Sequence, residues 1–273
     1  EELGSHACGY TSFSFDITGK LLPESDNLLT VKLDSRETLD QPPFGFVIDY
    51  MTYGGLYRDV FLTVKDSVSM TDIAIRPDYD GNVTTEGLSN DAIKDLEVAG
   101  RVETDLYLSR DAKQALKEGR LSIRQSLNAD VILERNLSEG LLVPSVNLDQ
   151  FLKGTEVPEH VTIVSDAGQV KLWDVESPET YSLVTELLYD NEPVDQSVKR
   201  IGFRKAEFRA DGFYLNGRLL KIRGLHRHQS YPYVGYAMPQ SMQRLDARIL
   251  KKELGVNTVR TSHYPQSHDF IDE

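Results

Sequence analysis

The sequence predicts a multidomain, mainly β protein that closes with the beginning of a parallel α/β fold. Short strand patterns separated by turn residues run through residues 1–204, an Asn-Gly hairpin follows, and a strand–helix–strand pattern lies near the carboxyl end. The chain has 273 residues, which suffices for one large domain or for two to three smaller ones. We therefore expect β domains followed by an α/β segment.

Residues 1–66 are expected to form the first sheet segment. Phe13, Phe15 and Ile17 alternate with polar residues, as in a half-buried strand. Strands are predicted at residues 13–17, 29–33 and 57–64. Three strands are too few for an independent sandwich, so this segment is interpreted as the back part of a sheet domain.

Residues 67–205 are expected to form an antiparallel β-sandwich. Turn residues such as Asp80-Gly81-Asn82 separate short apolar runs, a pattern typical of sandwiches. One helical turn is expected at residues 112–118. The strands are predicted at residues 72–75, 102–108, 120–123, 131–133, 161–164 and 182–188.

The pattern changes after Phe208. Asn216-Gly217 between two apolar runs is a strong hairpin signal. Apolar residues then recur at helical spacing over residues 241–254, with Ser241 as the expected N-cap and Gly255 as the expected terminating glycine. Flanking strands at residues 221–223 and 257–260 complete a βαβ unit, which begins a parallel α/β architecture.

Charge and composition exclude several classes of partner. The formal net charge of −13 argues against binding to nucleic acid or anionic membranes, which requires clustered Lys and Arg. No apolar run is long enough to span a bilayer. The first residues show no signal peptide, which favours a cytoplasmic location, and the missing initiator Met suggests that the natural protein begins upstream.

Two polar and aromatic segments, residues 224–229 and 260–265, follow the predicted parallel strands. The carboxyl ends of strands carry the active site in parallel barrels, so both segments are placed for substrate contact. His, Arg and Tyr supply hydrogen bonds and aromatic faces, which suit sugars. Satisfied core histidines at capped strand ends are the alternative, and a His-rich metal site is a third interpretation that no carboxylate at helical spacing supports.

A family resemblance rests first on the second of these segments. Residues 257–265 (NTVRTSHYP), followed by Phe270 and Ile271, resemble the first signature of the family 2 glycoside hydrolases, which include β-galactosidases, β-glucuronidases and β-mannosidases. Residues 224–228 (GLHRH) resemble the preceding strand end of the family, usually Gly-Val-Asn-Arg-His, with His226 in place of the asparagine.

Two upstream segments extend the resemblance over the chain. Residues 49–60 (DYMTYGGLYRDV) resemble the end of the family's jelly-roll domain, and Trp173 with residues 202–204 resembles the close of its immunoglobulin-like domain. The implied fold is the C-terminal part of a sugar-binding jelly-roll β-sandwich at residues 1–66, an immunoglobulin-like β-sandwich at residues 67–205, and the truncated start of a catalytic TIM (β/α)8 barrel at residues 206–273.

The resemblance also implies a mechanism. Members are retaining enzymes in which one glutamate protonates the leaving oxygen and another attacks the anomeric carbon. These glutamates are expected on later barrel strands, downstream of this chain, because Glu253 and Glu273 lie on predicted helices. No catalytic carboxylate is therefore expected within the chain.

By the same resemblance, Asp49, His228 and His263 are the residues expected to bind substrate and stabilise the transition state. For Asp49, a turn-capping role is the alternative. Arg260, which is expected to orient its neighbours by ion pairing, and Tyr264 are expected to support the site.

The expected function is that of a fragment of a glycosidase that cleaves terminal β-linked sugars in carbohydrate metabolism, with β-galactosides as the first choice of substrate. A β-glucuronidase of the same family and a non-catalytic carbohydrate-binding or adhesion module are the alternatives. The resemblance allows a bound Na or Mg ion, with no cofactor required, and implies a homo-oligomer of the full-length enzyme. A carbohydrate substrate is the expected partner, with no nucleic acid and no membrane.

Overall fold

A computed structural model describes residues 1–36, 38–41, 50–129, 141–152 and 156–273. These residues form two compact units. One comprises Thr63–Lys221, and the other combines Glu1–Leu62 with Ile222–Glu273. Strands outnumber helices, so the mainly β class predicted from the sequence is confirmed.

Two antiparallel sheets make up most of the unit Thr63–Lys221. One sheet has the strand order β1-β2-β5 and the other the order β4-β3-β6-β7, the arrangement of an immunoglobulin-like sandwich. The strands are β1 (Met70–Tyr79), β2 (Glu97–Leu108), β3 (Leu121–Ala129), β4 (Leu141–Asn147), β5 (His160–Lys171), β6 (Tyr181–Tyr189) and β7 (Glu192–Ile201). Strands β4 and β7 were not predicted from the sequence, and the predicted strand at residues 131–133 lies outside the described residues.

Alternating burial shows why these segments become strands. In β5, Val161, Ile163, Ser165 and Ala167 are buried, while the residues that alternate with them between positions 161 and 167 are exposed or partly exposed. Leu187 of β6 is fully buried in the same core. The short helices α1 (Asn90–Lys94) and α2 (Arg110–Lys117) lie in connections, and each begins with a serine whose side chain accepts a backbone N–H bond. The predicted helical turn at residues 112–118 therefore corresponds to α2.

A three-stranded antiparallel meander closes this unit. It consists of β8 (Ala206–Arg209), β9 (Gly212–Leu215) and β10 (Arg218–Leu219). Asn216 and Gly217 both adopt positive φ, at 50° and 74°, between the paired residues Leu215 and Arg218. This is the turn that the Asn-Gly signal predicts, because both central residues of a type I′ turn need the left-handed conformation.

The second unit contains the predicted βαβ pattern. Strands β11 (Gly224–Arg227) and β12 (Thr258–Thr261) are parallel. Helix α3 (Gln240–Arg248) and a π-helical turn (Ile249–Glu253) connect them, and α4 (His268–Asp272) follows. Gly255 adopts a φ of 63° just after the helical segment ends, as predicted.

Two boundaries of this unit differ from the prediction. Helix α3 begins after Pro239 rather than after Ser241, because the carbonyl of Pro239 already accepts the N–H groups of Met242 and Gln243. Strand β11 begins at Gly224 rather than at residue 221, because Arg223 is bonded through its N–H and carbonyl groups to Asn257, just before the ladder starts.

The strand predictions within residues 1–66 are wrong for the part that the structure describes. No strand occurs there, and Phe13 and Phe15 are 50% and 38% exposed. Alternation predicts which face of a segment is apolar, whereas a strand also requires a partner for its backbone hydrogen bonds. Among the described residues, moreover, no helix is long and apolar enough to cross a membrane.

Candidate sugar site at the strand ends

Strands β11 and β12 deliver two histidines to the same edge of the sheet. Their register pairs Gly224 with Thr258 and Arg227 with Thr261, so the carboxyl ends of the strands coincide. His228 follows β11 directly, and His263 lies two residues after β12. Because the strands are parallel, the carboxyl ends form the edge at which barrel enzymes place their active sites.

The two imidazoles and Tyr50 form an aromatic group at this edge. The ring centroids of His228 and His263 are 5.7 Å apart, and the Tyr50 ring lies 5.2 Å from the first and 5.5 Å from the second. Both histidines are exposed and Tyr50 is half-buried. The arrangement thus offers polar ring nitrogens beside an aromatic face.

Tyr264 lies beneath this group and is buried. Its ring stacks in parallel with that of Tyr10 at 5.4 Å and tilts against that of Tyr236 at 5.0 Å. Its hydroxyl oxygen accepts the backbone N–H of Gln229 at 3.2 Å and lies 3.4 Å from Nδ1 of His228. A bond in which His228 accepts requires the hydroxyl proton of Tyr264 to point at Nδ1.

Arg260 contacts histidine rings from the other side. Its Nη1 lies 3.1 Å from Nδ1 of His226, and its Nη2 lies 3.5 Å from Nδ1 of His263. These imidazoles are its hydrogen-bond partners in the described part of the chain, and the ion pairing expected from the sequence stays a prediction. A guanidinium only donates, so each Nδ1 is an acceptor. A neutral imidazole that accepts at Nδ1 carries its proton on Nε2. His263 therefore presents an Nε2–H donor, and His228 does the same when the hydroxyl of Tyr264 donates to its Nδ1.

A buried arginine, Arg227, holds the framework below the site. It ends β11, and its guanidinium donates to Asp246 and Gln243 of α3 and to Gln266 before α4. The same group lies 4.0 Å from the centroid of the Phe270 ring. Burial lowers the pKa of Arg227, while Asp246 opposes that shift. Both helices are thereby fixed to the end of the strand.

Further tyrosines connect distant parts of this unit. The hydroxyl of Tyr236 donates to the carbonyl of Met51 at 2.8 Å, and that of Tyr57 donates to the carbonyl of Gly9 at 2.9 Å. Burial raises the pKa of Tyr10, Tyr57 and Tyr236, so these side chains stay protonated at neutral pH. They remain neutral hydrogen-bond donors.

The structure brings His228, His263, Arg260 and Tyr264 together, while Asp49 lies outside the described residues. Tyr50, which neighbours Asp49 in the segment already singled out, was not predicted from the sequence. Neither were the partly buried Tyr10 and the buried Tyr236, for which no local pattern gave a signal. The described residues contain no group of three or more His, Cys, Asp or Glu side chains that could hold a metal. The Na or Mg ion thus stays a prediction from the resemblance.

Comparisons with known protein families match most of the chain. Residues 68–204 match the model described as glycosyl hydrolases family 2, and residues 206–273 match the model of the TIM barrel domain of the same family. The second match covers both histidine-bearing strand ends.

Curated relatives and solved structures agree with these matches. A β-galactosidase of Thermoanaerobacterium thermosulfurigenes is 39% identical over 99% of this chain and 34% of its own length. A β-galactosidase of Thermoanaerobacter pseudethanolicus is 35% identical over 100% and 33%. The structure of Bacteroides uniformis β-glucuronidase 2, covalently bound to cyclophellitol-6-carboxylate aziridine, has a TM-score of 0.69 at 26% identity and covers 100% of this chain and 30% of its own. The chain thus spans about a third of the length of the curated relatives that it matches.

Proposed function

The chain belongs to glycosyl hydrolase family 2, and from this premise we propose that it forms the sugar-contacting part of a retaining β-glycosidase whose preferred substrates are β-galactosides. The observation that carries the proposal is the convergence of His228, His263 and Tyr50 at the carboxyl ends of two parallel strands. Carbohydrate metabolism follows as the process in which such an enzyme would act.

The group is suited to a sugar. The two imidazoles, whose ring centroids are 5.7 Å apart, are close enough to donate from Nε2 to hydroxyl groups of one glycone. The face of Tyr50 can receive the apolar C–H side of the same ring. Tyr264 and Arg260 keep the donors in one tautomer, so the hydrogen bonds are preorganised rather than formed at the moment of reaction.

The bond-breaking carboxyl groups are proposed to lie outside this chain. A retaining mechanism requires an acid that can be protonated and a nucleophile on the other side of the anomeric carbon. Glu273 is paired with Arg248 at 2.6 Å, and this partner lowers the pKa of the Glu273 carboxyl, which opposes an acid role. A full (β/α)8 barrel needs roughly 250 residues, whereas the match to the barrel model spans residues 206–273.

A β-glucuronide substrate is the second candidate. It is favoured by the likeness to the Bacteroides uniformis enzyme, whose bound inhibitor carries a carboxylate. That inhibitor is covalently attached, which fits a nucleophilic mechanism. The higher sequence identity to β-galactosidases, 39% and 35%, favours the galactoside.

Assays on the longer enzyme test the proposal. The enzyme that contains this chain should hydrolyse nitrophenyl β-galactoside faster than the β-glucuronide and β-mannoside, and NMR of the first product should show the β-anomer. The 273-residue chain alone should give no turnover. Faster glucuronide hydrolysis would favour the second candidate, and turnover by the isolated chain would disprove the placement of the carboxyl groups. Sugar binding by the longer protein without hydrolysis would indicate a non-catalytic module.

A further inference from the structure

Gln229 follows His228 and is fully buried. It makes two hydrogen bonds to the loop that carries His263. Its backbone N–H donates to the hydroxyl oxygen of Tyr264 at 3.2 Å, and its side-chain Oε1 accepts the backbone N–H of Ser267 at 3.1 Å. Through these two bonds, Gln229 alone holds both ends of the loop of residues 264–267.

These two bonds bear directly on the histidines. His228 precedes Gln229, and His263 precedes Tyr264, so a bond between Gln229 and Tyr264 joins the neighbours of the two imidazoles. The hydroxyl of Tyr264 also lies 3.4 Å from Nδ1 of His228. The second bond, to Ser267, fixes the loop at the start of α4, where Ser267 is the N-cap residue and makes no side-chain cap bond.

We propose that Gln229 is a positioning residue, whose amide oxygen holds the loop of residues 264–267 and thereby sets the spacing and orientation of His228 and His263. Gln229 touches neither imidazole through its side chain in the contacts described above. It acts through Tyr264 and Ser267. The expected effect on enzyme activity rests on the proposed function.

Two substitutions at residue 229 distinguish the hydrogen bond made by the amide oxygen from the packing of the side chain. Gln229→Met preserves the length of the side chain but removes the acceptor for Ser267. Gln229→Glu keeps that acceptor, and no bond is lost at the other terminal atom because Nε2 of Gln229 has no partner among the described residues. Burial disfavours the charged carboxylate, so the Glu variant is assayed in mildly acidic buffer, where it is neutral.

In the full-length enzyme we expect Gln229→Met to lower kcat/KM by roughly 10- to 100-fold, the range that a displacement of about 1 Å produces. The fall should lie mainly in kcat, and Gln229→Glu should restore most of it. Leu187→Ala in the sandwich core is the matched control, because Leu187 is also fully buried and distant in sequence. It should lower Tm without changing kcat/KM below the melting range.

Ser267→Pro removes the same hydrogen bond from the other partner, and the φ of −61° at Ser267 suits proline. If loss of this hydrogen bond causes the fall in activity, the double variant Gln229→Met with Ser267→Pro should lose little more activity than either single variant. If Gln229→Met does not fold, the Ser267→Pro variant alone tests the inference.

A readout that needs no substrate completes the test. Diethyl pyrocarbonate acylates exposed imidazoles, and mass spectrometry of peptides gives the rate for His228 and His263 separately. We expect Gln229→Met to change the ratio of these rates and its pH dependence, and Leu187→Ala to leave both unchanged. Wild-type kcat/KM together with an unchanged ratio in Gln229→Met would overturn the inference. An enzyme that cleaves no glycoside but shows the changed ratio would instead refute only the proposed function.

Discussion

Tyr264→Phe removes a single oxygen from the centre of the site and leaves the aromatic packing in place. The rings of Tyr10 and Tyr236 lie 5.4 and 5.0 Å from that of Tyr264, and phenylalanine keeps both contacts. The backbone N–H of Gln229, in a fully buried residue, loses its acceptor. A buried donor without a partner costs about 1–3 kcal/mol, so we expect a loss of stability of about that size.

The same change should affect catalysis through His228. Without the hydroxyl, Nδ1 of His228 loses the contact that we propose selects its tautomer, so the proposed Nε2–H donor to the sugar is no longer favoured. The contact is long, at 3.4 Å, so we expect the smaller effect of about a tenfold fall in kcat/KM, equivalent to about 1.4 kcal/mol. KM should change less than kcat, since a preorganised donor acts chiefly in the transition state.

Thermal melting and steady-state kinetics of the full-length enzyme measure the two effects. Tyr57→Phe is the control, because it also deletes one tyrosine hydroxyl, which is bonded to the carbonyl of Gly9, without contacting either imidazole. It should lose stability but keep kcat/KM. If Tyr264→Phe keeps full activity, or if Tyr57→Phe loses as much, the hydroxyl of Tyr264 does not orient His228.

Two further substitutions test the residues expected to contact the sugar. His263→Ala in the full-length enzyme should reduce kcat more than it changes KM, with a loss of about 2–4 kcal/mol, as for one preorganised donor; unaltered kcat/KM in a folded variant would leave His263 a structural role only. Asp49→Asn should weaken galactose-like inhibitors and lower kcat/KM at nearly constant Tm. A variant that loses about 1 kcal/mol of stability yet stays fully active would show that Asp49 caps a turn.

Local signals in the sequence were sufficient for much of the fold. The turn at Asn216 and Gly217 and the strand–helix–strand order near the carboxyl end depend on residues close in sequence, and both predictions are confirmed. The predicted strand at residues 13–17 failed because alternation says nothing about whether a partner strand is available. Strand β7 was missed because its pattern is largely exposed and carries little apolar signal.

In the candidate site, too, residues in local motifs could be singled out from the sequence, whereas residues that contact each other across the chain could not. His228, His263 and Tyr264 could be found because they lie within two short motifs at the ends of adjacent strands. Tyr10 could not, because its stacking on Tyr264 is a contact between residues far apart in the chain, and periodicity does not encode such contacts. Non-local packing of this kind needs coordinates or a set of related sequences.

Burial follows the same pattern around both histidines. His228 is exposed between Arg227 and Gln229, which are 5% and 0% exposed, and His263 is exposed between Ser262 and Tyr264, which are 2% and 4% exposed. Each solvent-facing imidazole is thus flanked by buried polar residues, and burying polar groups is unfavourable unless they are bonded. Arg227, Gln229 and Tyr264 use those bonds to join the strand ends to α3 and to the loop before α4. The positions of the two imidazoles are therefore fixed by bonds that their neighbours in sequence make.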